Sequence, residues 1–288
     1  MNHELPLERR TLHGHFSRDL APVLSIDPGD TVRLSTLESG WHLEPGVFFE
    51  PRDPELDDPG HPLCGPIEVR GAQAGQTLEV RIGSLRPGGW GATGTEGEFV
   101  LWELDPHSGI GRGPGGFAVE LRPFLGVLGM PPPDPGVHST IPPRPWGGNL
   151  DCKELVAGTT LLLPVPVDGA LFSAGDGHAR QGDGEVSGTA IECGMERVDL
   201  MLSLRYDLEL QGPLAWTPEA WIAFGLDEDL DRAAEQATEA IIALLRRKHD
   251  LGRRDAVALA SVVVDLRVTQ VVNGVRGVHA VLPHDALR

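Results

Sequence analysis

Glycine and proline interrupt this chain so often that an all-helical fold is excluded. The 288 residues include 37 Gly and 25 Pro, and most runs between them are short and alternate apolar with polar, as strands do. Three segments repeat one pattern: Pro28-Gly29-Asp30-Thr31-Val32, Ala74-Gly75-Gln76-Thr77-Leu78 and Ala157-Gly158-Thr159-Thr160-Leu161. Each sets a turn glycine two residues before a threonine that opens a strand. After the second corner, Leu78, Val80 and Ile82 alternate with Thr77, Glu79 and Arg81, the period of a half-buried strand. After the third, Leu161, Leu162 and Leu163 run together, as in a strand buried on both faces, and Pro164 and Pro166 limit its pairing. Residues 109–148, with prolines at 131–133, 142, 143 and 145, read as one long ordered loop over a site, or else as a linker.

From Asp227 the texture changes. Leu230, Ala233, Ala234, Ala237, Ile241, Leu244 and Leu245 recur at helical spacing, with Asp227, Glu228 and Asp229 at the start and Arg246, Arg247, Lys248 and His249 at the end. Those charges complement a helix dipole, so the basic run is a helix end rather than a binding patch, and Gly252 is placed to terminate it. A shorter helix is expected around 255–260, then a strand through 262–272 and a turn at Asn273-Gly274. The fold class is therefore mainly β: a sandwich or barrel-like core over residues 1–212, with a small α+β subdomain over 213–288 packed on it.

Charge and cysteine usage exclude other classes. A formal net charge of −18 repels phosphate backbones and anionic lipid, which argues against nucleic-acid and membrane partners. No segment reaches the roughly 18 uninterrupted apolar residues of a membrane span, and the first ten residues lack a signal-peptide core. Cys64, Cys152 and Cys193 are odd in number and widely spaced, so reduced thiols in a cytoplasm are expected rather than disulfides or a thiolate zinc site. Cys152 and Cys193 read as small buried hydrophobes. Cys64 is the thiol to test as a nucleophile, though no base is visible for it. No Gly-x-Ser-x-Gly elbow occurs.

The chemistry concentrates in 175–185, Gly-Asp-Gly-His-Ala-Arg-Gln-Gly-Asp-Gly-Glu, between apolar runs over 161–173 and 186–193. Those arms place Asp176, His178, Asp183 and Glu185 at the mouth of a β-hairpin. Aspartates in Gly-rich bends are often Asx-turn residues, but three acids and an imidazole so close together suit a cation. A hairpin of 159–165 with 169–173 would bring in Asp151, from Gly147-Gly148-Asn149-Leu150-Asp151. Carboxylates with imidazole suit zinc; carboxylates and carbonyls alone suit calcium or magnesium. His61 is a weaker candidate, and Glu192 either lines the same cavity or faces solvent. Trp41, Trp90 and Trp146 narrow a pocket or fill the core.

Taken with Pro28-Gly29-Asp30-Thr31-Val32 and with Gly65-Pro66-Ile67 leading to Gly71-Ala72, two blocks carry a resemblance: 147–151, and Gly169-Ala170-Leu171 running into 175–185. The chain resembles the acetamidase/formamidase family over most of its length. Cys64 and Leu150 depart from the threonine and methionine common there. The resemblance implies a homo-oligomer, often a dimer, and divalent-metal-dependent hydrolysis of short aliphatic amides to carboxylate and ammonia. On that basis Asp151, Asp176, His178 and His61 are expected to hold one or two ions, zinc first with calcium possible as a second. Glu185, or Asp183 as second choice, would be the acid/base, and Asn149 would contact the amide or the oxyanion. The competing readings are a β protein that binds a small ligand or structural cation without catalysis, and a hydrolase of a larger or cyclic amide.

Overall fold

The three glycine corners are built alike in the computed structural model, which describes residues 1–50 and 60–287. Gly29, Gly75 and Gly158 have φ of +94°, +90° and +90°, a region strained for any residue with a Cβ. They lead into β4 (Asp30–Leu34), β8 (Thr77–Pro87) and β15 (Thr160–Pro164). All three strands lie in one nine-stranded sheet. Its order is β1 (Asn2–Leu5), β4, β17 (Met195–Arg205), β8, β15, β18 (Leu214–Trp216), β19 (Ala220–Asp227), β21 (Arg276–Pro283) and β20 (Asp265–Gln270).

A second sheet runs β14 (Gly147–Asn149), β13 (Phe124–Gly129), β16 (Phe172–His178), β7 (Leu63–Val69) and β2 (Leu12–His13), with β3 (Leu24–Ile26) parallel to β7. Val32, Val80, Leu161, Leu163 and Leu200 of the large sheet share one core cluster with Ile67, Leu125, Leu128, Phe172 and Ala174 of the second. The chain is therefore a mainly β sandwich. Its third sheet is β12 (Ala118–Glu120), β11 (Ile110–Arg112), β10 (Glu98–Asp105) and β9 (Trp90–Thr95), and a small hairpin joins β5 (His42–Glu44) to β6 (Val47–Phe48).

The three consecutive leucines now have a cause. Leu161 and Leu163 face the sandwich core, while Leu162 joins a second apolar cluster with Leu214, Ala223, Ala280 and Leu282 and residues of both helices. Each leucine so buried is worth roughly 1.5–3 kcal/mol. β8 departs from expectation, because Thr77 and Glu79 are buried as well as Leu78, Val80 and Ile82. Arg81 at 2.6 Å and Arg205 at 3.2 Å pair with Glu79, and the Thr77 hydroxyl donates to the Leu208 carbonyl at 2.9 Å. Those partners satisfy polar groups on a face that was expected to be solvated.

Helix α1 (Leu230–His249) buries Ala233, Ala237, Ile241, Leu244 and Leu245, and its Asp229 N-cap accepts from the Asp231 and Arg232 amides. It ends on Asp250, left-handed at φ +50°, not on Gly252. Gly252 instead begins α2 (Arg253–Val263), so helix takes Val262 and Val263, and β20 is shorter than the strand expected over 262–272. The long loop expected over 109–148 is also corrected: β11, β12 and β13 lie inside it, and β14 begins at its end. Among the described residues, no helix is long and apolar enough to cross a membrane.

Candidate active site

β16 carries the first two functional side chains. Asp176 and His178 stand two apart on this strand, so they share one face, and Asp176 takes a left-handed φ of +60°. They are therefore strand residues in the sandwich interior rather than residues of a hairpin mouth. The expected hairpin of 159–165 with 169–173 does not form either: β15 pairs with β8 and β18, and β16 with β13 and β7. Asp151 reaches the site by another route. β13 pairs with β16 on one side and β14 on the other, and Asp151 follows β14 with its amide bonded to the Gly126 carbonyl at 3.3 Å.

Gly126 is the floor of the cluster. A Cβ there would stand 2.3 Å from Asp176 Oδ2, 2.6 Å from Asp151 Oδ1 and 2.9 Å from His178 Cε1. Only a residue without a side chain lets these groups meet. Two sets of donor atoms form, each within 4.8 Å of one another: Asp151, His178 and Glu185, and Asp176, His178 and Glu192. His178 belongs to both, with Nε2 at 3.4 Å from Asp176 Oδ2 and 3.1 Å from Glu192 Oε2. Phe124 holds the imidazole edge to face, with ring centroids 4.8 Å apart.

Surrounding groups orient the carboxylates. The Asn273 amide donates to Asp151 Oδ2 at 2.6 Å, Gln181 Nε2 donates to the Asp151 carbonyl at 2.8 Å, and the Ala190 amide donates to Glu192 Oε1 at 2.7 Å. Other atoms are left over. Asn149 Oδ1, Asp151 Oδ1, Asp176 Oδ1, His178 Nδ1, Glu185 Oε2 and Glu192 Oε2 are buried without a hydrogen-bond partner. Buried polar atoms are rarely left this way, so so many convergent ones fit a cation that would take them as ligands.

Electrostatics separate the acids. Burial pushes Asp151 up to about 7 and Glu185 up to about 9, and raises Glu192. Burial also opposes charge on Asp176 and His178, but their neighbours outweigh it. The charges of His61 and His178 hold Asp176 well below the usual carboxylate range, while Glu192 and Asp176 keep His178 protonated well above an ordinary imidazole. One ion pair and a neutral Glu185 are what this pocket favours without a metal.

The structure thus brings Asp151, Asp176, His178 and Glu185 together, with Asn149 buried on the adjoining β14. His61 stands beside them, near enough to act on Asp151 and Asp176 through charge, but its Nδ1 is paired with Thr140 Oγ1 at 2.9 Å and it is in neither donor set. Asp183 does not join: Lys153 takes its carboxylate at 2.7 Å. Glu192, undecided from sequence, is buried and central. Gly126 carries no signal in its sequence context, and Gln181, in the polar block, and Asn273, in the expected turn, give no sign there of contacting Asp151. Cys64 is buried, and burial pushes its thiol up to about 12, which disfavours a nucleophilic role. Trp41 lies in the core, with Nε1 donating to the Gly60 carbonyl at 2.8 Å.

Comparison with known proteins follows this geometry. The model of the acetamidase/formamidase family matches residues 136–287. A putative formamidase of Schizosaccharomyces pombe is 28% identical, aligned over 75% of this chain and 72% of its own. A formamidase of Methylophilus methylotrophus is 48% identical over 61% of this chain and 60% of its own; the chain spans under two thirds of that relative. The crystal structure of an acetamidase from Bacillus halodurans superimposes with a TM-score of 0.85 at 29% identity, covering 97% of each chain.

Proposed function

The chain belongs to the acetamidase/formamidase family, and from that premise we propose that it hydrolyses short aliphatic amides of the formamide and acetamide class with the help of a divalent cation. One observation carries the reading: buried, unpartnered carboxylate and imidazole atoms from separate segments converge over Gly126. Asp151, Asp176 and His178 would hold the cation, with Glu192 added to the set and His61 acting from beside it. The mixture of carboxylate and imidazole favours zinc, with calcium as a second ion. A cation bound there would polarise the amide carbonyl and make water a better nucleophile.

The chain's own groups would do the rest. Ionised when a cation is bound beside it, Glu185 would take a proton from the attacking water and deliver it to the amide nitrogen as ammonia departs, which returns it to the carboxylate. Water adds to the carbonyl carbon, the C–N bond breaks, and the carboxylic acid passes its remaining proton to ammonia or solvent, so that carboxylate and ammonia or ammonium leave. Asn149 offers its side-chain amide to the substrate amide or to the developing oxyanion. Asp183, engaged by Lys153, is set aside as acid/base. A dimeric state and a cytoplasmic setting belong to the same reading. The three free, buried thiols support the second, and light-scattering mass tests the first.

The test joins elemental analysis to ammonia release from a panel of amides, with and without chelator. Glu185→Gln should keep its metal and lose turnover by about a hundredfold or more. Full activity in that variant rejects the role of Glu185, and metal-independent ammonia release by the parent protein rejects the cation.

A further inference from the structure

A second group of ligating side chains lies outside that machinery. Cys152 follows Asp151 in the chain, Glu154 comes two residues later, and His279 sits on β21; all three are buried, and their donor atoms lie within 4.8 Å of one another. None of them belongs to either donor set around His178.

The spacings suit ligands, although the Cys152 thiol also donates a hydrogen bond to the Glu154 carboxylate. Glu154 Oε2 lies 3.4 Å from Cys152 Sγ and 3.4 Å from His279 Nε2. With zinc bond lengths of about 2.3 Å to sulfur and 2.0–2.2 Å to nitrogen or oxygen, neighbouring ligands on a tetrahedron stand about 3.4–3.6 Å apart. A hydrogen bond from imidazole to carboxylate would instead be near 2.9 Å, and His279 Nε2 in fact makes none, although the side chain is fully buried.

The surroundings orient two of the donors, while burial and Glu154 keep the Cys152 thiol protonated until a cation displaces its proton. Thr269 Oγ1 lies 2.8 Å from His279 Nδ1; in the tautomer with its proton on Nδ1 the hydroxyl accepts it and Nε2 keeps a free lone pair, the arrangement usual behind metal-bound histidine. Arg267 donates to Glu154 Oε1 at 3.1 Å, which occupies that oxygen and leaves Oε2 facing the cysteine and histidine. Glu154 and Arg267 also line a cavity of about 270 Å³ beside the group.

We propose that Cys152, Glu154 and His279 form a second metal site, for a thiophilic divalent cation of the zinc class, with its fourth position open to water. Sulfur with imidazole selects zinc over calcium or magnesium. The ion would fasten the segment bearing Asp151 to β21 of the C-terminal unit. It is therefore a pin behind the proposed catalytic cluster and takes no part in the proposed hydrolysis.

Cobalt(II) reports on it directly, because only thiolate ligation gives a sulfur-to-cobalt charge-transfer band in the near ultraviolet. Metal-stripped protein titrated with cobalt should develop that band, saturating at one equivalent of this signal per chain. Cys152→Ser should abolish it, His279→Gln should weaken cobalt binding in this signal by tenfold or more, and Cys193→Ser should retain it. A saturated parent protein without the band overturns the proposal whatever the variants do, and so does a band that survives Cys152→Ser. Because the readout is spectroscopic, failure of amide hydrolysis leaves it intact, and the reverse also holds.

Discussion

Gly126 decides whether the site exists, and it does so by lacking a side chain. Its backbone is not left-handed, so alanine is conformationally allowed there, yet the added carbon would lie 2.3 Å from Asp176 Oδ2 and 2.6 Å from Asp151 Oδ1. Gly126→Ala should therefore push the two carboxylates apart and cost about 1–3 kcal/mol of stability as an overpacked interior does. Metal content should fall well below stoichiometric while the circular dichroism spectrum stays that of the parent. A variant that keeps its full metal complement would show that these two acids are not co-ligands. At this scale the sequence was informative where chemistry is dense: Asp151, Asp176, His178 and Glu185 stand in conspicuous polar blocks. Gly126 was hidden, because within Phe-Leu-Gly-Val-Leu-Gly nothing distinguishes a glycine that makes room from one that merely bends a strand. Asp183 misled for the opposite reason: it sits in the same polar block, but its partner Lys153 is thirty residues away in the chain.

The hairpin of β20 and β21 reaches the site through its connecting bend. Gln270 shapes that bend, accepting from the Val272 and Asn273 amides and donating to the Val275 carbonyl at 2.7 Å. Asn273 is thereby held where its amide meets Asp151 Oδ2 at 2.6 Å, while the Gly184 amide bonds to the Thr269 carbonyl at 3.0 Å and closes the hairpin over the Glu185 segment. Removing such an orienting group commonly costs tenfold to a hundredfold in metal affinity. Asn273→Ala should show that loss in a competitive metal titration, with turnover at saturating metal reduced less than affinity; unchanged affinity would make the contact incidental. The turn itself was legible as Asn273-Gly274, but its partner was not, since local sequence reports a bend and not what the bend touches. Likewise the residues from 109 to 148 read as loop because prolines crowd the stretch, whereas Phe124–Gly129 is too short between its neighbours to announce a buried strand and still forms an interior strand of the site sheet, between β14 and β16.

Across the molecule, the β character and the late helix pair follow from glycine corners and helical spacing, while the way the parts share one sheet does not. β18 pairs with β15, so strands β18 to β21 extend the same sheet that carries the sandwich core. We propose that the unit beginning at residue 213 is packed on the core and unfolds with it in one transition. That coupling makes the buried acids a global stability term. Asp151 is raised by burial to about 7 and Glu185 to about 9, against unfolded values near 4. A carboxyl raised in the folded state contributes its stability below the unfolded value and loses it as pH climbs through the folded one, because the unfolded chain then gains more by ionising. His178, raised by Glu192 and Asp176 against the pull of burial, has the same sign. Asp176, lowered, loses its contribution only in acid, outside this window. Chelated protein should therefore melt at progressively lower temperature from about pH 5 to about pH 9. Restored metal should flatten that slope, since a bound cation replaces the protons that keep the cluster neutral. Thermal scans across this range, with chelator and with zinc, test it; a flat chelated profile would mean that these groups are solvated, and one that rises with pH that the fold holds them ionised, and either overturns the expectation.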